Sequence, residues 1–210
     1  FDPSLGWKDL AEAAYAVSAG AVHVVSNRDL SLPTARGFAP GNGALVGAVV
    51  AATGVEPFSA GKPSPAMYAM AIERAGAQRP LVVGDRLDTD LAGARSGGYP
   101  GLHVLTGVNS ARDDILAHAG ERPDFIGADL RSLLEPHPLP VQGDEGWWTC
   151  REASARVAGD QLELRAGSAG SDPVDLVRAA CSAAWAHVDA GGSLDPASVP
   201  ELVVPGAPEA

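Results

Sequence analysis

An apolar segment that ends abruptly in acidic residues, 81–90, constrains the fold of this chain more than any other feature. Its apolar residues and glycine are typical of a buried parallel strand, and a helix is predicted to follow over residues 90–96. Ligands bind at the carboxyl ends of strands in an open α/β sheet, so Asp85 and Asp90 are expected where chemistry takes place. Two neighbouring carboxylates repel each other, and a Mg²⁺ ion is the usual means of keeping both ionised.

The alternation of short apolar strands with helices continues along the chain and predicts an α/β fold with a Rossmann-like parallel sheet. The helix at 90–96 is expected to be capped by Asp88 or Thr89. Residues 31–43 are rich in proline and glycine and are predicted to be a loop. Helices are predicted over residues 9–19, 44–53, 66–75, 90–96 and 111–119, and strands over 21–25, 81–84, 102–105 and 123–126.

A different pattern follows the proline-rich linker at 136–140. Residues 155–158 and 161–164 are typical of a β-hairpin, and Asp172-Pro173 is expected to begin a long helix with one apolar face. This order predicts a small α+β appendage over residues 141–204, compatible with a piece of an acetyltransferase-like fold. It lacks the pyrophosphate-binding loop of acetyltransferases, so acetyl transfer is not expected. The appendage could bind an effector, form a homodimer contact or cover the core.

Charge and composition exclude some classes of partner. The net charge of −11 argues against nucleic acid or an anionic membrane surface as the partner. A small phosphate ester stays compatible with this charge, because a metal ion and a few cations can reverse the local field. Two cysteines form no disulfide framework, so a cytoplasmic, reducing location is expected. No apolar run approaches the length of a membrane span.

A second segment, 61–65, lies about twenty residues upstream of the acidic one and precedes the helix predicted at 66–75. The order Gly-Lys-Pro, helix, apolar strand and Gly-Asp-x-x-x-Thr-Asp resembles the third and fourth motifs of the haloacid dehalogenase superfamily of phosphohydrolases. Three further segments resemble its NagD-like branch, in which a large cap is inserted between the second and third motifs, and within it the actinobacterial glycerol-3-phosphate phosphatases; they are residues 1–3, 26–29 and 40–44.

The resemblance covers residues 1 to about 136 and divides the chain into three predicted parts. Residues 1–57 would be the C-terminal part of an α/β cap and its return to the core. Residues 58–136 would be the C-terminal part of the core, and residues 137–210 the linker with the appendage. The family's N-terminal Asp-x-Asp motif is not found, and the chain begins with Phe1. We therefore expect this sequence to be the C-terminal part of a longer polypeptide.

Three residues are predicted to carry the chemistry. An ammonium such as that of Lys62 stabilises a phosphoryl group in flight, although most lysines that precede a helix are simply exposed. The resemblance implies that Asp85 is a direct Mg²⁺ ligand. It also implies that Asp90 orders the site, through water on the metal or by holding Lys62; an ordinary acidic residue at a helix N-terminus is the alternative.

Other polar residues allow two interpretations. Asn27 and Arg28 follow a predicted strand and could contact substrate, or the segment could be a turn that satisfies its own backbone. Arg86 could steer phosphate or pair with Asp88, which is expected to face solvent.

Three features are assigned no ligand. The loop 41–43 could cradle a phosphate, but a tight turn with a capping Asn is favoured. His103 and Cys150 are predicted to be packed residues rather than ligands or nucleophiles. Met67 and Met70 are expected to face a core.

These patterns predict a Mg²⁺-dependent phosphatase that acts on a small phosphate monoester. By resemblance, an aspartate N-terminal to this sequence attacks phosphorus and forms a phospho-aspartate that water hydrolyses. The resemblance favours glycerol 3-phosphate as the substrate and phosphoglycolate next. Another phosphatase or phosphotransferase of the superfamily is one alternative. A non-catalytic or regulatory module that keeps the fold and a Mg²⁺ site is the other.

Overall fold

The computed structural model describes residue 2 and residues 4–205. Phe1 and Pro3, on which one of the predicted motifs falls, lie outside the described residues. The chain divides into two compact units. The first unit comprises the residues up to Pro80 together with Asp88–Tyr99, and the second comprises Leu81–Leu87 together with the residues from Pro100 onward.

Helices and short strands alternate through most of the chain. The helices are α1 (Trp7–Ser18), α2 (Asn42–Thr53), α3 (Ala66–Ala75), α4 (Ala92–Ser96), α5 (Ala111–Leu116) and α6 (Pro173–Asp189). The strands are β1 (Val24–Val25), β2 (Ser31–Thr34), β3 (Gly37–Pro40), β4 (Phe58–Ser59), β5 (Val82–Gly84), β6 (Gly101–Val104), β7 (Phe125–Gly127), β8 (Val141–Gln142), β9 (Trp148–Cys150), β10 (Ala153–Ala158) and β11 (Gln161–Arg165). Each predicted helix is confirmed within a few residues at its ends.

In the first unit, β1 and β4 pair in parallel and α1 packs on α2. The prediction of a loop over residues 31–43 is wrong, because β2 and β3 form an antiparallel hairpin there. Gly37 has a φ of +109°, which few other residues adopt and which lets the chain reverse. Pro33 lies in β2, in a two-stranded hairpin where a proline leaves few ladder bonds unmade. Met67 and Met70 are also exposed, at 43% and 52%, so the expectation that they face a core is wrong.

The capping predicted for the helix at 90–96 is wrong as well. A single π-helical turn, Leu87–Leu91, leads directly into α4. The cap position is Leu91, whose side chain makes no capping hydrogen bond. The preceding turn already places backbone carbonyls before α4, so neither Asp88 nor Thr89 is needed as a cap.

The second unit contains two sheets. Strands β5, β6 and β7 are parallel and adjacent in that order, which confirms the predicted Rossmann-like sheet. Strands β8 to β11 form an antiparallel sheet on which α6 packs, which confirms the predicted α+β appendage. α6 begins as predicted, since Asp172 Oδ1 accepts a hydrogen bond from Val174 N at 3.0 Å and Pro173 occupies the first turn.

One hydrophobic core joins the two sheets of the second unit. It contains Leu105, Ile115 and Ile126 from the parallel-sheet segment and Val177 and Cys181 from α6. Within the described residues, no helix is both long and apolar enough to cross a bilayer.

Candidate active site

In the first unit, Lys62 lies between two carboxylates. Its Nζ is 3.0 Å from Asp90 Oδ1 and 3.8 Å from Asp29 Oδ2. The side chain of Lys62 is only 26% exposed and that of Asp90 10%, so water screens their attraction less than at an open surface. Asp29 was not among the predicted site residues. Its position at the end of the polar segment after β1 was a signal that could have identified it.

The backbone on which Lys62 lies is held against the segment 26–29. Arg28 N donates to Lys62 O at 3.0 Å. A Cβ added to Gly61 would lie 1.7 Å from Ser26 O, so only glycine permits this approach. The Lys62–Pro63 peptide bond is cis.

The glycines of loop 41–43 serve the same approach. A Cβ on Gly41 or Gly43 would lie 2.3 Å from a backbone oxygen of the segment 26–29. Asn42 does not cap α2 as expected. Its Nδ2 donates instead to Asn27 O at 2.7 Å, because Gly41 occupies the cap position. The loop therefore fixes the segment that carries Asp29.

Tyr68, which no sequence pattern marks, also contacts this cluster. Its hydroxyl donates to the backbone oxygen of Asp90 at 3.4 Å. Burial, with the negative charges of Asp90 and Asp29, raises the pKa of Tyr68 to about 12. The phenol therefore stays protonated at neutral pH and can only donate to that oxygen.

Asn27 and Arg28 have local partners. Asn27 Oδ1 accepts a hydrogen bond from Asp29 N at 3.2 Å, as in a turn that satisfies its own backbone. Arg28 forms an exposed ion pair with Glu56 at 3.0 Å.

In the second unit, Asp85 follows β5 and is held by the loop after β6. Its Oδ2 accepts a hydrogen bond from Val108 N at 3.0 Å, and its backbone oxygen accepts one from Asn109 N at 3.1 Å. A Cβ on Gly107 would lie 2.0 Å from Asp85 Oδ2, so this loop can approach the carboxylate only with glycine there.

Asp85 fits a hard divalent cation as one ligand. A carboxylate oxygen is the donor that Mg²⁺ prefers, and the second oxygen of Asp85 is fixed by Val108 N. Within the described residues, no group of three or more His, Cys, Asp and Glu side chains comes together as a metal site. Asp85 therefore presents one carboxylate donor rather than a full set of ligands.

Two residues that follow Asp85 in sequence are at least partly buried. Arg86 is buried, with 9% of its surface exposed. Asp88 is half-buried rather than fully in solvent.

His103 and Asp114 form a buried pair behind Asp85. His103 Nδ1 lies 2.8 Å from Asp114 Oδ2, and both side chains have no exposed surface. Burial raises the pKa of Asp114, and the hydrogen bond from His103 offsets part of this effect. Burial alone would lower the pKa of His103, but the hydrogen bond and the charge of Asp114 raise it above its usual value. His103 is thus a packed histidine, as predicted.

Cys150 is also a packed residue, as predicted. It is fully buried, and burial together with the charge of Asp175 raises the pKa of its thiol to about 12. The thiol stays protonated at neutral pH, and only a thiolate is an effective nucleophile.

Two family models match the chain. Residues 59–133 match the model described as HAD-hydrolase-like, and residues 150–200 match the one described as GCN5-related N-acetyltransferase like domain. The second match agrees with the acetyltransferase-like fold expected for the appendage.

Curated relatives are phosphatases. The D-glycerol 3-phosphate phosphatase of Mycobacterium tuberculosis is 46% identical over 184 residues, which are 86% of this chain and 51% of that protein. An acid sugar phosphatase of Staphylococcus aureus is 40% identical over 135 residues, 63% of this chain and 51% of that protein. The chain thus spans about half the length of these relatives. Because the mycobacterial alignment spans 184 residues, the likeness extends beyond the expected limit near residue 136.

Solved structures agree with these matches. The crystal structure of the glycerol phosphate phosphatase of M. tuberculosis in complex with magnesium aligns with a TM-score of 0.74 and 46% identity, covering 89% of this chain and 55% of that one. The 4-nitrophenylphosphatase of Thermotoga maritima aligns with a TM-score of 0.58 and 31% identity, covering 63% of this chain and 51% of that one. Residues 59–133 are therefore similar to the HAD-like hydrolases, and a segment similar to GCN5-related N-acetyltransferases follows.

Proposed function

We propose that the protein is a Mg²⁺-dependent phosphatase that hydrolyses small phosphate monoesters. The observation that carries the proposal is the ammonium of Lys62, held 3.0 Å from the Asp90 carboxylate in a partly buried cluster. A fixed ammonium stabilises the negative charge on the oxygens of a phosphoryl group during transfer. The family match and the phosphatases among the relatives support the same reaction.

Each motif residue has its own role in this proposal. Lys62 binds the phosphoryl oxygens, while Asp90 holds the ammonium in place. Asp85 is the residue of this chain that would hold Mg²⁺, with its carboxylate oriented by Val108 N. When bound, the metal supplies positive charge that polarises the phosphoryl group. Support for Mg²⁺ comes from the mycobacterial relative, whose crystal structure contains it.

The three substrate contacts predicted from sequence remain part of the proposal. Arg28 would exchange its exposed partner Glu56 for a substrate group, which costs little for a surface ion pair. Asn27 and Arg86 would act beside it. The attack by an aspartate through a phospho-aspartate intermediate is also proposed from the family; that aspartate is not one of the residues assigned here.

We propose glycerol 3-phosphate as the first candidate substrate, because the 46% identical relative bears that name. Sugar phosphates follow from the staphylococcal relatives, and phosphoglycolate from the sequence resemblance. A cytoplasmic location is proposed on the evidence of two free, buried cysteines. A homodimer and the absence of nucleic-acid partners belong to the same proposal.

The test is phosphate release, by a polypeptide that includes the proposed attacking aspartate, from glycerol 3-phosphate, a sugar phosphate, phosphoglycolate and p-nitrophenyl phosphate, each with Mg²⁺ and then with EDTA. Metal-dependent release supports the proposal, and the panel ranks the substrates. Asp85→Asn should abolish the response to Mg²⁺, whereas Asp144→Asn, a change at an exposed residue, should not. Mg²⁺ binding without release from any ester would favour the non-catalytic module instead.

A further inference from the structure

Both ring nitrogens of the buried His103 are engaged. Nδ1 lies 2.8 Å from Asp114 Oδ2, and Nε2 lies 3.3 Å from the backbone oxygen of Asp85. A carbonyl oxygen only accepts hydrogen bonds, so Nε2 must carry a proton. The tautomer of His103 is thereby fixed by its partners.

A second proton then lies between His103 and Asp114. Either Nδ1 carries it and donates to the carboxylate, or the carboxyl carries it and donates to Nδ1. In both arrangements the pair is neutral overall and Nε2 still donates to Asp85. The other oxygen of Asp114, Oδ1, has no hydrogen-bond partner among the described residues, so the carboxyl group is held through Oδ2.

The hydrogen bond to Asp85 reaches the residue proposed to hold the metal. The backbone oxygen of Asp85 accepts hydrogen bonds from His103 Nε2 and Asn109 N, while its carboxylate accepts one from Val108 N. The backbone and the side chain of Asp85 are therefore each held by hydrogen bonds from different donors. A ligand held in this way loses less freedom when a metal binds.

The appendage reaches the same pair. Trp185 of α6 donates from Nε1 to the backbone oxygen of Asp114 at 3.0 Å. We propose that His103 and Asp114 are positioning residues for Asp85 and that Trp185 extends this hydrogen-bonded chain to the acetyltransferase-like appendage. This inference rests on the proposed function, since it takes Asp85 as a metal ligand.

The test compares four variants. The double variant H103L/D114L removes the pair without leaving a buried carboxylate unpaired, which single removal would do at large cost. Asp114→Asn is the conservative variant, because its amide can donate to Nδ1 and keep the proton on Nε2. Trp185→Phe removes a single N–H donor, and Trp147→Phe is its control, a tryptophan that contacts Arg156 and Arg165 instead.

Two measurements are made on each variant. Amide hydrogen exchange of Val108 and Asn109 reports the order of the loop around Asp85 and needs neither metal nor substrate. Calorimetric titration with Mg²⁺ reports metal affinity. In H103L/D114L we expect exchange at least about tenfold faster and Mg²⁺ binding about tenfold weaker, the size of effect seen when outer partners of metal ligands are removed. Asp114→Asn should stay within about threefold of the unmodified chain on both measurements.

The outcomes separate this inference from the proposed function. A folded H103L/D114L variant with exchange and affinity within twofold of the unmodified chain overturns the inference. If that variant does not fold, Trp185→Phe decides, because the inference requires faster exchange there than in Trp147→Phe. If the unmodified chain does not bind Mg²⁺ and a polypeptide that includes the attacking aspartate releases no phosphate, the proposed function fails, and the exchange comparison still shows whether the pair holds Asp85.

Discussion

At the scale of single residues, the proposed chemistry depends most on how Lys62 is surrounded. Its ammonium has Asp90 at 3.0 Å and Asp29 at 3.8 Å, so the cluster is net negative before substrate arrives. Two carboxylates hold the ammonium in place, while the anionic substrate must be drawn in by further positive charge. A Mg²⁺ ion, as in the proposed function, would supply such charge.

Replacing Lys62 by methionine should therefore lower kcat strongly while it changes the free energy of unfolding little. Methionine keeps much of the length of the side chain but removes the charge, and loss of one charge-stabilising donor typically costs about 10²–10³ in kcat. The measurement is steady-state phosphate release at saturating Mg²⁺ by Lys62→Met, made in a polypeptide that includes the proposed attacking aspartate. Lys8→Met is the matched control, because Lys8 is exposed on α1. A kcat for Lys62→Met equal to that of the control would remove Lys62 from the proposed mechanism.

Site residues that lie within a sequence motif could be predicted, whereas those outside any motif could not. Lys62, Asp85 and Asp90 could be predicted because glycine, proline and an apolar strand mark their positions in the chain. Tyr68 could not, because its contact with Asp90 depends on how α3 packs. The pairing of His103 with Asp114 also depends on packing, since eleven residues separate them and no local pattern joins a strand to the following helix.

At the scale of elements, strands and helices with a strong period were predicted and irregular ones were not. The parallel strands are short and mostly apolar, so β5, β6 and β7 were predicted. The β2–β3 hairpin was missed because its proline and glycine are typical of loops, although Gly37 makes the turn of the hairpin. The π-helical turn before α4 has no sequence signature, and for this reason the predicted cap was misplaced.

His137, in the linker after β7, is expected to make the stability of β7 depend on pH. Ile126 N donates to His137 Nε2 at 3.4 Å, and the imidazole packs edge-on against Phe125 at 4.9 Å between ring centroids. Nε2 can accept this hydrogen bond only while it carries no proton. Burial, with the positive charges of Arg178 and Arg151 and against the negative charge of Asp175, lowers the pKa of His137 to about 4.

Because the folded pKa of His137 lies below its unfolded value near 6.5, protons bind the unfolded chain more readily. The stabilisation is fully present above about pH 6.5 and is lost as the pH falls towards about 4. Urea unfolding midpoints measured across this window should fall less steeply for His137→Gln than for the unmodified chain. His118→Gln, at a mostly exposed imidazole, controls for loss of a histidine. Parallel curves for His137→Gln and the unmodified chain would show that the linker histidine does not contribute.

At the scale of the whole molecule, the hydrophobic core of the second unit contains residues from both sides of the domain boundary predicted from the sequence. The sequence pattern changes near residue 136, where the boundary between the HAD-like core and the appendage is predicted. Yet Ile126 and Leu105 share a hydrophobic cluster with Val177, and the Arg178 guanidinium donates twice to the backbone oxygen of Ile126, at 3.0 and 2.7 Å. Such contacts between distant segments cannot be predicted from the local periodicity of the sequence.

We therefore predict that the parallel sheet and the appendage of the second unit unfold together. Val177 has no exposed surface, so Val177→Ala should cost about 2 kcal/mol of unfolding free energy through lost burial and a residual cavity. Native-state hydrogen exchange measures this loss separately at the amides of His103 in β6 and Leu162 in β11. Equal losses at both amides are expected for one cooperative unit. Val203→Ala, at a side chain that is 86% exposed, should change neither by more than about 0.5 kcal/mol. A loss confined to Leu162 would instead support the predicted division into separate domains at 58–136 and 137–210.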